Sequence, residues 1–184
     1  METRRRATAQ LLGRVLPWLA VWAVVVGPAT ADEFAGRVVG IADGDTITVL
    51  HARHSETVRL LGVDAPEKRQ AYGDRARRFT AELAFDRTVT VRGAGRDRNG
   101  RLLGEVVLPD GRSLNQELVR AGYAWWFRRY SRDSTLARLE QEAREWRRGL
   151  WADEAPIPPW DFRVYGRTGR GLNSSAVTGE GGAG

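Results

Sequence analysis

The chain has 184 residues, of which 29 are basic and 23 acidic, and it has no cysteine. The absence of cysteine excludes disulfides, thiolate metal sites and a cysteine nucleophile, so the fold must be stabilised by its core. The net charge of +6 favours anionic partners but does not by itself establish nucleic-acid binding.

Residues 1–31 have the pattern of a secretory signal peptide. A basic start is followed by an apolar run from Val15 to Val26, interrupted by Pro17, and Ala29-Thr30-Ala31 has the small-residue pattern of a cleavage site. The run is shorter than the roughly 20 residues that span a bilayer as a helix. We therefore expect cleavage, a secreted or periplasmic protein and no stable membrane association. The alternative is an uncleaved signal anchor that tethers the protein to the membrane.

Five segments have the short apolar or alternating patterns of β-strands. They are residues 34–42, 46–50, 57–63, 88–92 and 102–108. Asp43-Gly44 and Asn99-Gly100 are turn signals between them. Short strands joined by turns predict a barrel or a sandwich.

Three segments have helical patterns. Residues 71–85 carry apolar residues at helical spacing, and Ser113 with Gln116 resembles a capping box before a helix that stops at Gly122. Ser134 is predicted to cap the third helix. The apolar residues of that helix recur at helical spacing: Leu136, Leu139, Ala143 and Trp146.

This order of elements predicts an α+β fold that is mainly β. Five strands with a helix between the third and fourth are typical of an OB-fold barrel, here with three helices in all. The predicted domain covers residues 34–151, with Trp146 and Trp151 in its core. Residues 152–184 form a Pro/Gly-rich tail that we expect to be largely disordered, although Trp160, Phe162 and Tyr165 offer side chains that can dock on the domain.

Five charged residues are candidates for a catalytic site. Asp45, Asp64 and Glu67 lie within 23 positions of one another. Arg59 lies just upstream of Asp64, and Arg101 follows all three acids. Carboxylates are ligands for hard cations such as Ca²⁺. Guanidiniums bind phosphate oxygens and stabilise charge that develops in a transition state. The combination indicates phosphodiester hydrolysis.

The motifs that carry these residues occur in order along the chain. They are DGDT at 43–46, RLLGVDAPE at 59–67, YGDRA at 72–76, NGRLLGEV at 99–106 and ELVRAGYA at 117–124. Together they resemble the staphylococcal nuclease (thermonuclease) family over residues 36–151. The resemblance implies a five-stranded OB barrel with three helices.

The resemblance also implies a role for each site residue. Asp45 and Asp64 are expected to ligate Ca²⁺. Ala65 is expected to add its backbone carbonyl, at a position where the best-known member has threonine. Glu67 is expected to act as a general base or to orient the attacking water, and Arg59 and Arg101 to bind phosphate and stabilise the transition state.

Other matched positions are supporting. Asp43 and Thr46 are expected close to the metal. Asn99 stands where the type member has a tyrosine that stacks on the nucleotide, so base preference and affinity are expected to differ there, since stacking contributes about 1–3 kcal/mol per base. Arg128 and Tyr130 lie near a segment that supplies further tyrosine contacts.

These features predict a calcium-dependent nuclease of low sequence specificity that acts as a monomer. By its resemblance to the family, it is expected to prefer single-stranded DNA and RNA and to leave 3′-phosphates. The alternative is an OB-fold module that binds nucleic acid with weak or lost catalysis. The intact set of site residues favours the enzyme, because a binding module does not need a metal site.

Overall fold

The computed structural model describes residues 33–168, so the predicted signal peptide lies outside the described residues. The strands are β1 (Glu33–Asp43), β2 (Thr46–His51), β3 (His54–Leu60), β4 (Val63–Asp64), β5 (Thr88–Arg96), β6 (Leu102–Val107) and β7 (Trp125–Trp126). The helices are α1 (Gly73–Ala84), α2 (Leu114–Arg120), α3 (Ser134–Glu145) and α4 (Pro159–Thr168), with a 3₁₀ turn at Gly149–Ala152.

Five strands close into a barrel in the order β1-β2-β3-β6-β5. Neighbouring strands are antiparallel except β3 and β6, which are parallel. Alternate residues of each strand point inward, as for Ile47 and Val49 of β2 and Val89 and Val91 of β5, which are buried. The predicted OB-like α+β barrel is therefore confirmed.

The third predicted strand is divided in two. Residues 57–63 were expected to be continuous, but β3 ends at Leu60, and Gly62 adopts a φ of +78° before β4 begins. This left-handed conformation, which suits glycine, turns the chain out of the barrel. As a result β4 pairs with β7, with Asp64 opposite Trp125.

The three predicted helices are present, and Ser113 is at the N-cap of α2 as predicted, but the predicted cap of α3 is wrong. Ser113 precedes α2 without making a capping hydrogen bond, and its Oγ is buried without a hydrogen-bond partner among the described residues. Helix α3 is capped by Asp133, whose carboxylate accepts a hydrogen bond from the Thr135 N–H at 2.8 Å, rather than by Ser134. At the start of α3, the adjacent polar residues Asp133 and Ser134 offer competing caps, and the aspartate makes the hydrogen bond.

The expected burial of the two tryptophans is half confirmed. Trp151 is buried, but Trp146 is 72% exposed. Helix α3 ends at Glu145, so Trp146 no longer follows the buried face of the helix.

Helix α4 lies within the segment that we expected to be a largely disordered tail. Trp160 does dock on the domain, stacking on Phe127 with 5.3 Å between ring centroids. Residues 169–184 lie outside the described residues. In the described range, no helix combines the length and apolar character needed to cross a membrane.

A buried asparagine ties α2 to the barrel. The Oδ1 atom of Asn115 accepts a hydrogen bond from the Val106 N–H at 3.1 Å. Its Nδ2 donates to the carbonyls of Leu61 at 2.9 Å and Gly104 at 3.2 Å. One side chain therefore hydrogen-bonds three backbone groups, two of them in β6 and one just after β3, where the chain leaves the barrel.

We expect Asn115→Ala to lower the free energy of unfolding by about 3 kcal/mol, because the Val106 N–H and the Leu61 carbonyl lose this partner. The Gly104 carbonyl keeps the hydrogen bond from the Leu61 N–H. Urea unfolding is the measurement. Ser113→Ala is the matched control, with an expected loss below about 0.5 kcal/mol because no cap is removed. Equal losses in the two variants would show that the asparagine contacts carry no special stability.

Candidate active site

The turn that carries Asp45 is fixed by close packing. It joins β1 to β2, and a Cβ on Gly44 would lie 2.8 Å from the Cβ atoms of both Ala65 and Ala76. The hydroxyl of Thr80 donates to the Gly44 carbonyl at 2.6 Å. Glycine at this position therefore lets the turn pack directly on α1 and on the chain that follows β4.

Arg59 joins the two aspartates. Strand pairing places it opposite Thr46, next to the Asp45 turn. One end of its guanidinium, Nη1, donates to Asp45 Oδ1, and the other, Nη2, donates to Asp64 Oδ1 at 2.6 Å. The side chains of Asp45 and Asp64 are only 1% and 0% exposed. Two buried carboxylates are thus bridged by one cation.

Neighbouring groups complete the surroundings of Asp45. The N–H of Ala65 donates to Asp45 Oδ2 at 2.6 Å, and the Thr46 hydroxyl donates to Oδ1 at 3.2 Å. Asp43 Oδ1 accepts a hydrogen bond from the Asp45 N–H at 3.2 Å. The structure therefore places Asp43, Thr46 and Ala65 in direct contact with Asp45.

Glu67 lies in the loop after β4, and its side chain is 37% exposed. Its N–H donates to Gln70 Oε1 at 3.1 Å, and its carbonyl accepts a hydrogen bond from the Gln70 N–H at 2.8 Å. Gly73 lies so close that a Cβ there would be 2.1 Å from the Glu67 carbonyl oxygen. The backbone of Glu67 is therefore held firmly while its carboxylate is accessible.

Arg163 of α4, which is not among the predicted site residues, contacts two of the candidate acids. Its Nη2 donates to Asp64 Oδ2 at 2.6 Å, and its Nη1 donates to Asp64 Oδ1 at 3.2 Å and to Glu67 Oε1 at 2.7 Å. The three-residue spacing of Trp160 and Arg163 is typical of a helix face and could have indicated that both residues face the domain. The Pro/Gly-rich composition around these residues obscured that signal.

The polar contacts of Arg101 in the described residues are with Asp97 rather than with the other four predicted residues. Its Nε and Nη2 lie 2.8 Å from Asp97 Oδ2, and its N–H donates to Asp97 Oδ1 at 3.0 Å. The structure therefore brings Asp45, Arg59, Asp64 and Glu67 together, while Arg101 forms an ion pair with Asp97 at the start of β6.

Burial and charge act in opposite directions in this site. Burial raises the pKa of Asp45 well above its usual value, against the opposing effect of Arg59, and the nearby Asp43 and Asp64 add to the rise. Burial acts to lower the pKa of Arg59, but Asp45 and Asp64 outweigh it and raise that pKa. The same opposition raises the pKa of Arg163, where Asp64 and Glu67 outweigh burial. Both arginines are therefore fixed as cations beside the acids.

The donors in this site fit a hard divalent cation in their chemistry. Asp45 and Asp64 offer carboxylate oxygens that meet at one guanidinium, and Ala65 adjoins them through its backbone. Oxygen donors of this kind suit Ca²⁺. Within residues 33–168, however, no group of three or more histidine, aspartate or glutamate side chains is arranged to hold a metal ion. The guanidinium of Arg163 lies between Asp64 and Glu67.

A cleft of about 700 Å³ begins beside Arg163. Its lining is rich in aromatic and basic side chains: Trp126, Phe127, Tyr130, Trp160, Arg98, Arg128 and Arg129. Arg128 and Tyr130, which were predicted to contact nucleic acid, are 66% and 63% exposed. Arg128 also pairs with Glu140 at 3.0 Å and lies over the Trp126 ring. Asn99 lies in an exposed turn, and Asp97 accepts a hydrogen bond from its N–H.

Comparisons with known proteins identify the family of this chain. Residues 57–153 match the family model described as "Staphylococcal nuclease homologue". An "Uncharacterized endonuclease" from Escherichia coli O157:H7 is 46% identical over 136 residues, covering 74% of this chain and 89% of the relative. A "Micrococcal nuclease" from Shigella flexneri is 44% identical over 154 residues, covering 78% and 88%. The chain therefore belongs to the staphylococcal nuclease family.

Proposed function

We propose that this chain is a Ca²⁺-dependent endonuclease that hydrolyses phosphodiester bonds of DNA and RNA with low sequence specificity. We further propose that it prefers single strands, leaves 3′-phosphates and acts as a monomer. The observation that carries the proposal is the buried Asp45–Arg59–Asp64 bridge, in which two hard oxygen ligands adjoin a phosphate-binding group. The family and the names of the relatives support the nuclease assignment.

Each residue has a chemical role in this proposal. Asp45, Asp64 and the Ala65 carbonyl would hold the cation, which polarises a phosphoryl oxygen when bound. The half-exposed carboxylate of Glu67 would orient a water and accept its proton. Arg59 would donate to a phosphate oxygen as negative charge accumulates there.

The aromatic and basic cleft supports a nucleic-acid strand as the substrate. Arginines attract the phosphates, and exposed rings such as Tyr130 offer stacking surfaces that accept any base. Because this mode of contact does not read base edges, it fits low sequence specificity. Asn99 adds no ring, so stacking would depend on the cleft.

We expect the purified protein to cleave plasmid DNA and RNA with Ca²⁺ and to lose this activity in EDTA. Asp64→Ala should reduce cleavage by at least about 10²-fold and weaken Ca²⁺ binding, because it removes an anionic ligand. Digestion with Ca²⁺, Mg²⁺ and EDTA, together with isothermal titration calorimetry, provides the measurements. Asp86→Asn, which changes an exposed acid paired with Arg37, is the matched control.

Binding of oligonucleotides without cleavage under any of these conditions would contradict the proposal. It would favour the alternative of an OB-fold binding module. Cleavage that survives EDTA and Asp64→Ala would contradict the proposed metal dependence.

We expect Arg59→Lys to lower kcat by on the order of 10²-fold with a much smaller change in KM, as loss of a preorganised transition-state donor does. The same loss is expected for Arg101→Lys on the proposal that its guanidinium leaves Asp97 to bind the phosphate of the substrate. Lysine keeps the charge but loses the planar fork. Steady-state kinetics on a short single-stranded substrate provide the measurement, with melting temperatures to verify folding. A rise in KM with kcat unchanged would make these arginines binding residues.

We also propose that residues 1–31 direct export and are removed, which leaves a secreted or periplasmic protein. The arginines, the short apolar run and Ala29-Thr30-Ala31 support this. N-terminal sequencing of the protein recovered outside the cytoplasm should begin at Asp32. An intact Met1 in the membrane fraction would instead favour the tethered form.

A further inference from the structure

Helix α4 places a cation on the carboxylates that the proposed function assigns to metal and water. The guanidinium of Arg163 spans both oxygens of Asp64 and one oxygen of Glu67, at 2.6–3.2 Å. Charge-assisted hydrogen bonds in this forked geometry are among the stronger polar contacts in proteins. A ligand that needs the oxygens of Asp64 must therefore compete with Arg163, and at Oδ1 also with Arg59.

The helix is seated on the domain by aromatic contacts. The Trp160 ring lies parallel to that of Phe127, with an interplanar angle of 3°, and meets Trp125 edge-on at 6.4 Å. Trp160 and Arg163 are three residues apart, so they share one face of the helix. One face of α4 therefore carries both Trp160, which packs on the domain, and Arg163, whose guanidinium contacts the acids.

A second link connects the α4 segment to the loop that carries Glu67. Gln70 donates through Nε2 to the carbonyl of Ile157, two residues before α4, and accepts through Oε1 from the Glu67 N–H. The position of the loop and the docking of the helix are therefore mechanically connected through one side chain.

The contacts that hold α4 on the domain are also weak enough for the helix to dissociate from it. Helix α4 has 10 residues, a length that is marginal for an isolated helix in water. The Arg163 and Glu67 side chains are each 37% exposed, so solvent weakens their pairing. A divalent cation on Asp64 would also repel the guanidinium at this distance.

We propose that helix α4 is a displaceable cover of the active site, in which Arg163 neutralises Asp64 and Glu67 until a divalent cation takes its place. This inference rests on the proposed metal-dependent function. Binding of the divalent cation would then both complete the active site and release helix α4 from it. The aromatic and basic cleft, which α4 lines with Trp160 and Arg163, would change shape in the same step.

Ca²⁺ titration of the full chain by calorimetry tests the competition. If the cover is closed about nine-tenths of the time, Arg163→Ala should bind Ca²⁺ about 10-fold more tightly than the wild type, because the competent fraction approaches one. Trp160→Ala, which keeps Arg163 but removes its seat, should shift the Kd in the same direction. Arg37→Ala is the control: it removes one exposed arginine charge, that of the Asp86 pair, and should leave the Kd unchanged.

Hydrogen exchange of the wild type gives a readout that does not depend on a variant's folding. Saturating Ca²⁺ should speed exchange at the amides of residues 160–164 and leave the barrel strands unchanged. Unchanged or slower exchange at α4, or a Kd for both α4 variants equal to that of the wild type, would overturn the cover. If Ca²⁺ binding still depends on Asp64 in that case, the nuclease proposal stands. If neither the wild type nor any of these variants binds Ca²⁺, both proposals are wrong.

Discussion

The placement of two carboxylates out of water is the constraint on which the rest of this site depends. Asp45 and Asp64 are almost wholly buried, and a buried charge without a partner costs several kcal/mol. Arg59 meets that demand by bridging them from the neighbouring strand β3. The barrel register, the packed glycine turn and the break after β3 all serve to bring these three side chains to one point.

The break after β3 also connects the site to the aromatic part of the molecule. Because β4 pairs with β7, Asp64 lies opposite Trp125. Trp125 in turn packs edge-on against Trp151 and Trp160. Asp64 and Trp160 of helix α4 therefore both contact Trp125. A displacement of α4 can be transmitted to Asp64 through this tryptophan.

Much of the barrel could be predicted from local patterns. Alternation such as Ile47 and Val49, and turns such as Asn99-Gly100, depend on neighbours in the sequence, so the strands were predicted within a few residues. The errors arise at the ends of helices, where a shift of one residue changes whether a side chain is buried or makes a capping hydrogen bond. Trp146 fits the helical spacing, but α3 ends one residue earlier, and the ring is exposed. At Ser113 the expected capping residue is present, but its hydroxyl makes no cap.

The sequence by itself determined the fold class and the candidate acids, because strand alternation and the spacing of Asp45, Asp64 and Glu67 are local properties of the chain. Only the tertiary structure decided which cations meet those acids. Arg101 was expected to lie close to these acids, but its guanidinium pairs with Asp97. The guanidinium of Arg163, which is 96 positions from Glu67 in the sequence, contacts Asp64 and Glu67. The spacing of Trp160 and Arg163 predicts at most that they share one face of a helix. Which ring and which acids they meet is decided by the packing of distant elements, since Trp160 against Phe127 brings Arg163 to the site.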